Sequence, residues 1–266
     1  FQRIDLDGTP ALKACPENYQ ADLPRCTSIG DGHTKVNSVE HLLSALGGIG
    51  IDNAQIDVDG PELPSLDGSS LPYVERIMDV GIAEQNLDKK FINLQSPISV
   101  DDGERQLVLL PSSHFQITFV YDHPQLPTQM ATFTITPEVY ISEIAPSRSF
   151  CLASEVDILR ELGIGHGASY ENVVVVEDDG SASSELRFSD EFVRHKILDL
   201  IGDFYLAGQL PKAHVIAIKS GHKLHAELVM SLAEARLIDN NSVFHQPVEA
   251  KDIYRILPHR FPMCMV

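Results

Sequence analysis

The chain has 266 residues, enough for two modest domains, and its 43% hydrophobic and 22% charged content is that of an ordinary water-soluble globular protein. A net charge of −18 argues against nucleic acid and anionic membrane surfaces as partners, and no apolar run approaches the ~20 residues that span a bilayer. Cys15, Cys26, Cys151 and Cys264 form no Cys-x-x-Cys pair and no disulfide framework, and no signal peptide opens the chain, so a cytoplasmic location is expected.

In chain order, Pro10, Pro16 and Pro24 allow only short strands and loops in residues 1–30. The first helix is expected from Asn37, with Val39, Leu42, Leu43 and Leu46 as its apolar face and Gly47-Gly48 as its stop. Asn37 and Glu40 have the spacing of a capping box, which would leave His41 as a plain first-turn polar residue. Ala54, Ile56 and Val58 alternate as a strand, and turn-rich residues 61–70 lead into a helix carrying Val74, Ile77 and Met78. Polar residues 86–90 read as a domain boundary.

Strands resume over 91–100, 107–110, 115–121 and 131–135, with a turn at Asp101-Asp102-Gly103. Pro137, at a first helical position, starts a helix through Ile144, and another runs from Ser154 to Leu162. Gly163, Gly165 and Gly167 follow a helix and precede the strand 173–176, the wrong context for a phosphate cradle. Past residue 208, a strand over 215–218, a turn at Lys219-Ser220-Gly221-His222 and a helix marked by Leu224, Leu228 and Leu232 complete the pattern. Residues 239–247 read as a polar linker. Each half offers strands followed by helices, an α+β arrangement.

The segment 189–208 stands out. Ser189 is its expected N-cap, Asp190 and Glu191 fall in the first turn, and Gly208 ends it. Between them lie Phe192, Val193, Ile197, Leu198, Leu200, Ile201, Phe204 and Tyr205, so the helix is expected to be largely buried. His195, Asp199 and Asp203 fall at i, i+4 and i+8 on one stripe. Two carboxylates buried without a cation would each cost several kcal/mol or take up protons. A divalent metal satisfies His195 and Asp199 together; the plainer alternative is a core histidine hydrogen-bonded along its own helix.

Five motifs then stand in register: Ser38-Val39-Glu40-His41-Leu42, Asp52-Asn53-Ala54, Leu66-Asp67-Gly68-Ser69, Arg194-His195-Lys196-Ile197-Leu198-Asp199 and Lys219-Ser220-Gly221-His222. In this order and separation they closely resemble the UDP-3-O-acyl-N-acetylglucosamine deacetylase family of lipid A biosynthesis, over residues 1–235. The resemblance implies two domains, 1–87 (lacking its first strands) and 88–237, each a β-sheet with helices packed on it and the active site between them. A βαβ insert near 150–172 would form the acyl-chain passage.

The implied activity is zinc-dependent (Zn2+) hydrolysis of the acetamide of UDP-3-O-((3R)-hydroxyacyl)-N-acetylglucosamine. His41, His195 and Asp199 are the implied zinc ligands and Glu40 the general base. His222 is implied as the cation that stabilises the intermediate and protonates the amine, with Asp203 holding it charged. Ser149 stands where the family usually has Thr, and its hydroxyl still suits an oxyanion. Lys196 and Lys219 match the family's cations near the nucleotide; for Lys219 a solvated surface lysine is the alternative. Phe150, Cys151 and Leu152 open the passage, with Cys151 and Leu152 replacing the usual Gly-Phe. Ser28 replaces a cysteine found near the metal in many members, so a second, inhibitory zinc is not expected.

Residues 252–262 resemble the opening of a (3R)-hydroxyacyl-acyl-carrier-protein dehydratase of the hotdog fold. A linker at 238–250 and the start of such a domain at 251–266 are therefore expected, with both chain ends truncated. Acyl carrier protein would be a partner only of that missing part, and His259 is not expected to be catalytic. Two other readings stay open: a zinc amidase or esterase with the same ligands and another substrate, and a non-catalytic fragment.

Overall fold

The computed structural model describes residues 1–161, 167 and 169–234. The linker at 238–250, the dehydratase-like stretch at 251–266, and Gly163 and Gly165 lie outside them. Strands β1 (Gln2–Arg3), β2 (Tyr19–Gln20), β3 (Ser28–Gly30) and β4 (Lys35–Val36) are short, as their proline-punctuated sequence requires. Helix α1 (Glu40–Ile49), β5 (Asp57–Val58) and α2 (Leu71–Val80) follow. β2, β3 and β4 form an antiparallel sheet, and β5 lies parallel to β1.

The second half contributes β6 (Ile92–Asn93), β7 (Ile98–Asp101), β8 (Gln106–Pro111), β9 (Gln116–His123) and β10 (Leu126–Thr134). After α3 (Pro137–Val139), which continues as a π-helical turn over Tyr140–Ile144, come β11 (Phe150–Leu152), α4 (Val156–Glu161) and β12 (Val174–Val176). β11 and β12 pair in parallel with α4 between them, the expected βαβ unit. Helix α5 (Glu191–Phe204), strand β13 (Pro211–Ile218) and helix α6 (His222–Glu234) close the described chain. β13 sits in a six-stranded sheet of order β10-β9-β13-β8-β7, with β6 also pairing to β13.

The register of that sheet places Val215 beside Leu109 and Ile117, and Ala217 beside Leu107 and Phe119. All six are fully buried, because the period-2 pleat sends alternate residues to one face. On that face α5 packs over β9 and β10, and α6 over β7 and β8. α1 lies against α5 on the side away from the sheet, with α2 against α1. Mixed sheets with helices packed on them make this an α+β fold. Among the described residues no helix is long and apolar enough to cross a membrane.

Several local expectations change. α1 begins at Glu40 with Val39 as its N-cap, and no capping box forms: the Asn37 amide donates to the Pro61 carbonyl (2.8 Å). Gly47 and Gly48 do not stop α1 but lie inside it, where a Cβ on Gly48 would enter the Tyr140 ring; Gly50 ends the helix. Ser189 does not cap α5. Asp190 holds that place, and the buried Glu191 carboxylate accepts from the amides of Arg148 (3.0 Å) and Arg187 (2.7 Å). The strand expected at 54–58 is only Asp57–Val58, and Met78 is exposed.

Gly202 fixes how closely α1 and α5 approach. A Cβ there would lie inside the van der Waals radius of the Glu40 backbone carbonyl oxygen, and backbone has no rotamer with which to yield. Gly202→Ala should therefore push apart the two helices that carry Glu40, His41 and Asp199. Overpacking of this kind costs about 1–3 kcal/mol. Calorimetry should show Tm lowered by several degrees; an unchanged Tm would mean the helices separate without strain.

Candidate active site

His41 comes from the first turn of α1, and His195 and Asp199 lie one turn apart on α5. Asp199 Oδ1 is 3.4 Å from His195 Nε2 and 3.6 Å from His41 Nε2, and the imidazoles meet edge to face at 5.1 Å between centroids. These separations exceed an ordinary N–H···O bond of about 2.7–3.2 Å. They match the ~3.4 Å edge of a tetrahedron of ligands about 2.1 Å from a central ion. One donor atom from each residue lies within 4.8 Å of the others.

The protonation states of His195 and Asp199 suit that fit. His195 Nδ1 bonds the Ser147 carbonyl (3.2 Å), which puts the proton on Nδ1 and turns the Nε2 lone pair toward Asp199. Burial pulls His195 down to about 3, so its ring is neutral. Burial pulls His41 the same way, but Asp199 and Glu40 outweigh it and raise that imidazole. Asp199 is held well below the usual carboxylate range: burial pushes it up, and His195, Lys196, His41 and His222 more than reverse this. Its second oxygen, Oδ2, accepts from Lys196 Nζ (2.6 Å), leaving Oδ1 for the imidazoles. Two imidazole nitrogens and one carboxylate oxygen around one buried point fit a divalent metal ion with a fourth position free.

Beside this set lies a second cluster around Asp203, one turn further along α5. Asp203 Oδ1 accepts from Thr27 Oγ1 (2.5 Å), and Oδ2 receives Nδ1 of both His222 (2.8 Å) and His225 (2.7 Å). Burial opposes the charge on Asp203, but the two histidines keep its carboxyl below the ordinary range. Burial also pulls His222 down, yet Asp203, then Asp199 and Glu40, hold it at about 9. His222 Nε2 faces Asp199 Oδ2 at 3.8 Å. Glu40 Oε2 accepts the Thr27 amide (2.9 Å); burial pushes its carboxyl up, moderated by His222 and His41.

Both clusters open onto a cavity of about 950 Å³. Its wall includes Glu40, His41, His195, Asp199 and His222, and also Ser149, Phe150, Cys151, Lys196 and Lys219. Ser149 is held by its amide to the Gly68 carbonyl (2.8 Å). Phe150 packs on Phe192 and Tyr121, its ring 6.0 Å from that of His195. Lys219 pairs with Asp122 at 2.6 Å. Leu152 instead joins Leu126, Val174, Val176 and Phe192 in a satellite core behind the wall. The wall also includes the apolar side chains of Val156, Leu159, Val173 and Val175. Arg105 and Lys223 add cationic groups to the wall that Lys219 also lines.

Three participants escaped the sequence reading. Thr27 touches both Glu40 and Asp203, but it lies in an irregular stretch with no period to place it. Ser147 acts through a backbone carbonyl, which residue type does not encode. His225 carried a usable signal: His222-x-x-His225 at the start of a helix puts two imidazoles on one face.

The described chain also matches known proteins. A model of the family described as "LpxC: UDP-3-O-acyl N-acetylglycosamine deacetylase" covers residues 1–234. A UDP-3-O-acyl-N-acetylglucosamine deacetylase of Acidithiobacillus ferrooxidans is 42% identical over 237 residues, covering 87% of this chain and 78% of that protein. Proteins of the same name from a Geobacter species and from Legionella pneumophila are each 40% identical, over 235 and 237 residues. Both alignments cover 87% of this chain, and respectively 77% and 78% of the relatives. On a family match spanning the whole described chain and on relatives of this identity, the protein belongs to the LpxC family of UDP-3-O-acyl-N-acetylglucosamine deacetylases.

Proposed function

We propose that this chain is a zinc-dependent, cytoplasmic N-deacetylase of lipid A biosynthesis. It would convert UDP-3-O-((3R)-hydroxyacyl)-N-acetylglucosamine to the free amine and acetate. The convergence of His41, His195 and Asp199 on one point in the cavity carries the reading. Zinc held by these three residues would polarise the acetamide carbonyl and acidify the attacking water. Glu40 is buried beside the imidazoles, and among the described residues its Oε2 accepts one amide, from Thr27, so Oε1 takes the water's proton. His222, charged and held at Nδ1 by Asp203, turns Nε2 to the substrate, stabilises negative charge and protonates the leaving nitrogen.

Ser149 Oγ donates to the developing oxyanion. Lys196 orients Asp199 through Oδ2, a role next to the metal rather than at the nucleotide. Lys219, with Arg105 and Lys223 on the same cavity wall, offers the local positive charge that an acidic protein needs to hold a diphosphate. The apolar part of that wall, with Phe150 and Cys151, takes the acyl chain, and Leu152 supports it from behind. By the resemblance of 251–266, the parent chain would also act as a dehydratase on acyl-carrier-protein thioesters.

Metal analysis of purified protein combined with an acetate-release assay tests the reading. One zinc per chain and turnover of the UDP-linked acylated sugar are expected. Zinc without that turnover, but with hydrolysis of a simple acetyl ester, would favour the broader amidase or esterase reading. Protein without bound metal or turnover would favour a non-catalytic fragment.

A further inference from the structure

His225 is not needed by the mechanism above, yet it is fully buried, and both of its ring nitrogens are engaged, one by Asp203 and one by Ser220 of the cavity wall. Nδ1 meets Asp203 Oδ2 at 2.7 Å, and Nε2 meets Ser220 Oγ at 2.8 Å. The backbone explains the placement: His222 and His225 are three apart on the first turn of α6, so both face Asp203 on the neighbouring α5. Burial holds His225 below its ordinary value, consistent with a neutral ring. A neutral imidazole has one donor and one acceptor. The ionised Asp203 carboxylate can only accept, so Nδ1 carries the proton and donates to it, and the serine hydroxyl donates to Nε2.

We propose that His225 is a positioning residue for the deacetylation, clamping Oδ2 of Asp203 so that His222 stays anchored through Nδ1 and presents Nε2 to the substrate. The inference rests on the proposed role of His222. A carboxylate with only the Thr27 and His222 contacts could rotate about its Cβ–Cγ bond, and the His222 ring would turn with it. With His225 in place, Asp203 has three donors on two oxygens, and Ser220 holds the third donor's ring from the cavity wall. A chain of hydrogen bonds Ser220–His225–Asp203–His222 thus fixes which nitrogen faces the reaction.

A core-packing role predicts something different. Leucine would fill the space with more apolar surface, and only stability would change. The test uses His225→Leu, which removes both polar contacts, and His225→Asn, whose side-chain amide can reproduce the Nδ1–H donor. In metal-loaded protein, His225→Leu should lower kcat ~10-fold or more with KM and metal content unchanged, the size typical of lost outer-shell partners. His225→Asn should recover most of that loss. Nitrogen-15 histidine spectra should show the hydrogen-bonded His222 Nδ1–H resonance shifted in His225→Leu and restored in His225→Asn.

Normal kcat with only a lowered Tm in His225→Leu would overturn the proposal. So would a His225→Asn variant as impaired as the leucine variant. If the leucine variant does not fold, Ser220→Ala serves, since it removes the partner of Nε2 and loosens the ring that clamps Asp203; it should shift the same resonance, and an unmoved resonance overturns the proposal. The spectra need no turnover. If wild type itself fails to deacetylate, the functional reading falls, while the clamp is still judged from the resonances.

Discussion

Glu40→Gln is expected to keep the metal and lose most turnover, with kcat/KM down roughly 10² to 10⁴-fold, the usual contribution of a general base. The substitution is nearly isosteric, and the amide oxygen can still accept the Thr27 N–H that Glu40 accepts at 2.9 Å. What is lost is the ability to take a proton. The buried carboxyl is pushed above its ordinary value, which brings a base closer to working pH and makes it more effective than an exposed glutamate. Activity should accordingly fall as pH drops through that raised value. The competing account, Glu40 as a helix cap, already fails on geometry because the Asn37 amide is bonded to Pro61. Steady-state kinetics, metal analysis and a melting curve decide the matter together. Near-normal kcat/KM with Tm lowered, as expected for a cap worth ~1 kcal/mol, would remove Glu40 from the chemistry.

How much of this was legible depends on whether the signal was periodic. α5 could be read as a buried helix because its apolar residues surround it, and the stripe His195, Asp199, Asp203 follows from 3.6 residues per turn. β8, β9 and β13 could be read because Leu107, Leu109, Ile117, Phe119, Val215 and Ala217 alternate. The stop at Gly208 could be read, although α5 itself ends at Phe204 and a 3-10 turn over Tyr205–Ala207 carries the chain to that glycine; the start could not, since Glu191 is tied to Arg148 and Arg187, tertiary contacts that no local capping rule contains. The interior glycines Gly47 and Gly48 look like a stop and act as a seat for Tyr205 and Tyr140. Leu152 belongs to the apolar run beside the passage, but parallel pairing with Val176 and the strand pleat put it behind the wall with Val174 and Phe192. The convergence of His41 with His195 came from family likeness; no local pattern joins residues so far apart.

Asp203→Asn is expected to move the basic limb of the pH–rate profile to lower pH. His222 sits at about 9 against an ordinary 6.5, although burial works against its charge; Asp203, 2.8 Å from Nδ1, is the largest influence raising it. Metal on Asp199 would use up part of that carboxylate's attraction, so in the loaded enzyme His222 depends on Asp203 still more. Asparagine keeps size and can still accept a hydrogen bond through its carbonyl, but it carries no charge. Burial then dominates, and the limb should fall by roughly two and a half units or more, toward 6.5 or below. At pH 8 that means a loss of about 30-fold, since His222 would be almost wholly neutral. Metal content should not change. Stability gives an independent check. A histidine raised on folding contributes stability that is fully present below its unfolded value of ~6.5 and lost as pH rises through about 9. Wild type should therefore lose Tm between these pH values more steeply than Asp203→Asn. If the limb stays in place while metal is lost, Asp203 belongs with the metal ligands, and the division of the α5 stripe into a ligand carboxylate and a histidine-charging carboxylate is wrong.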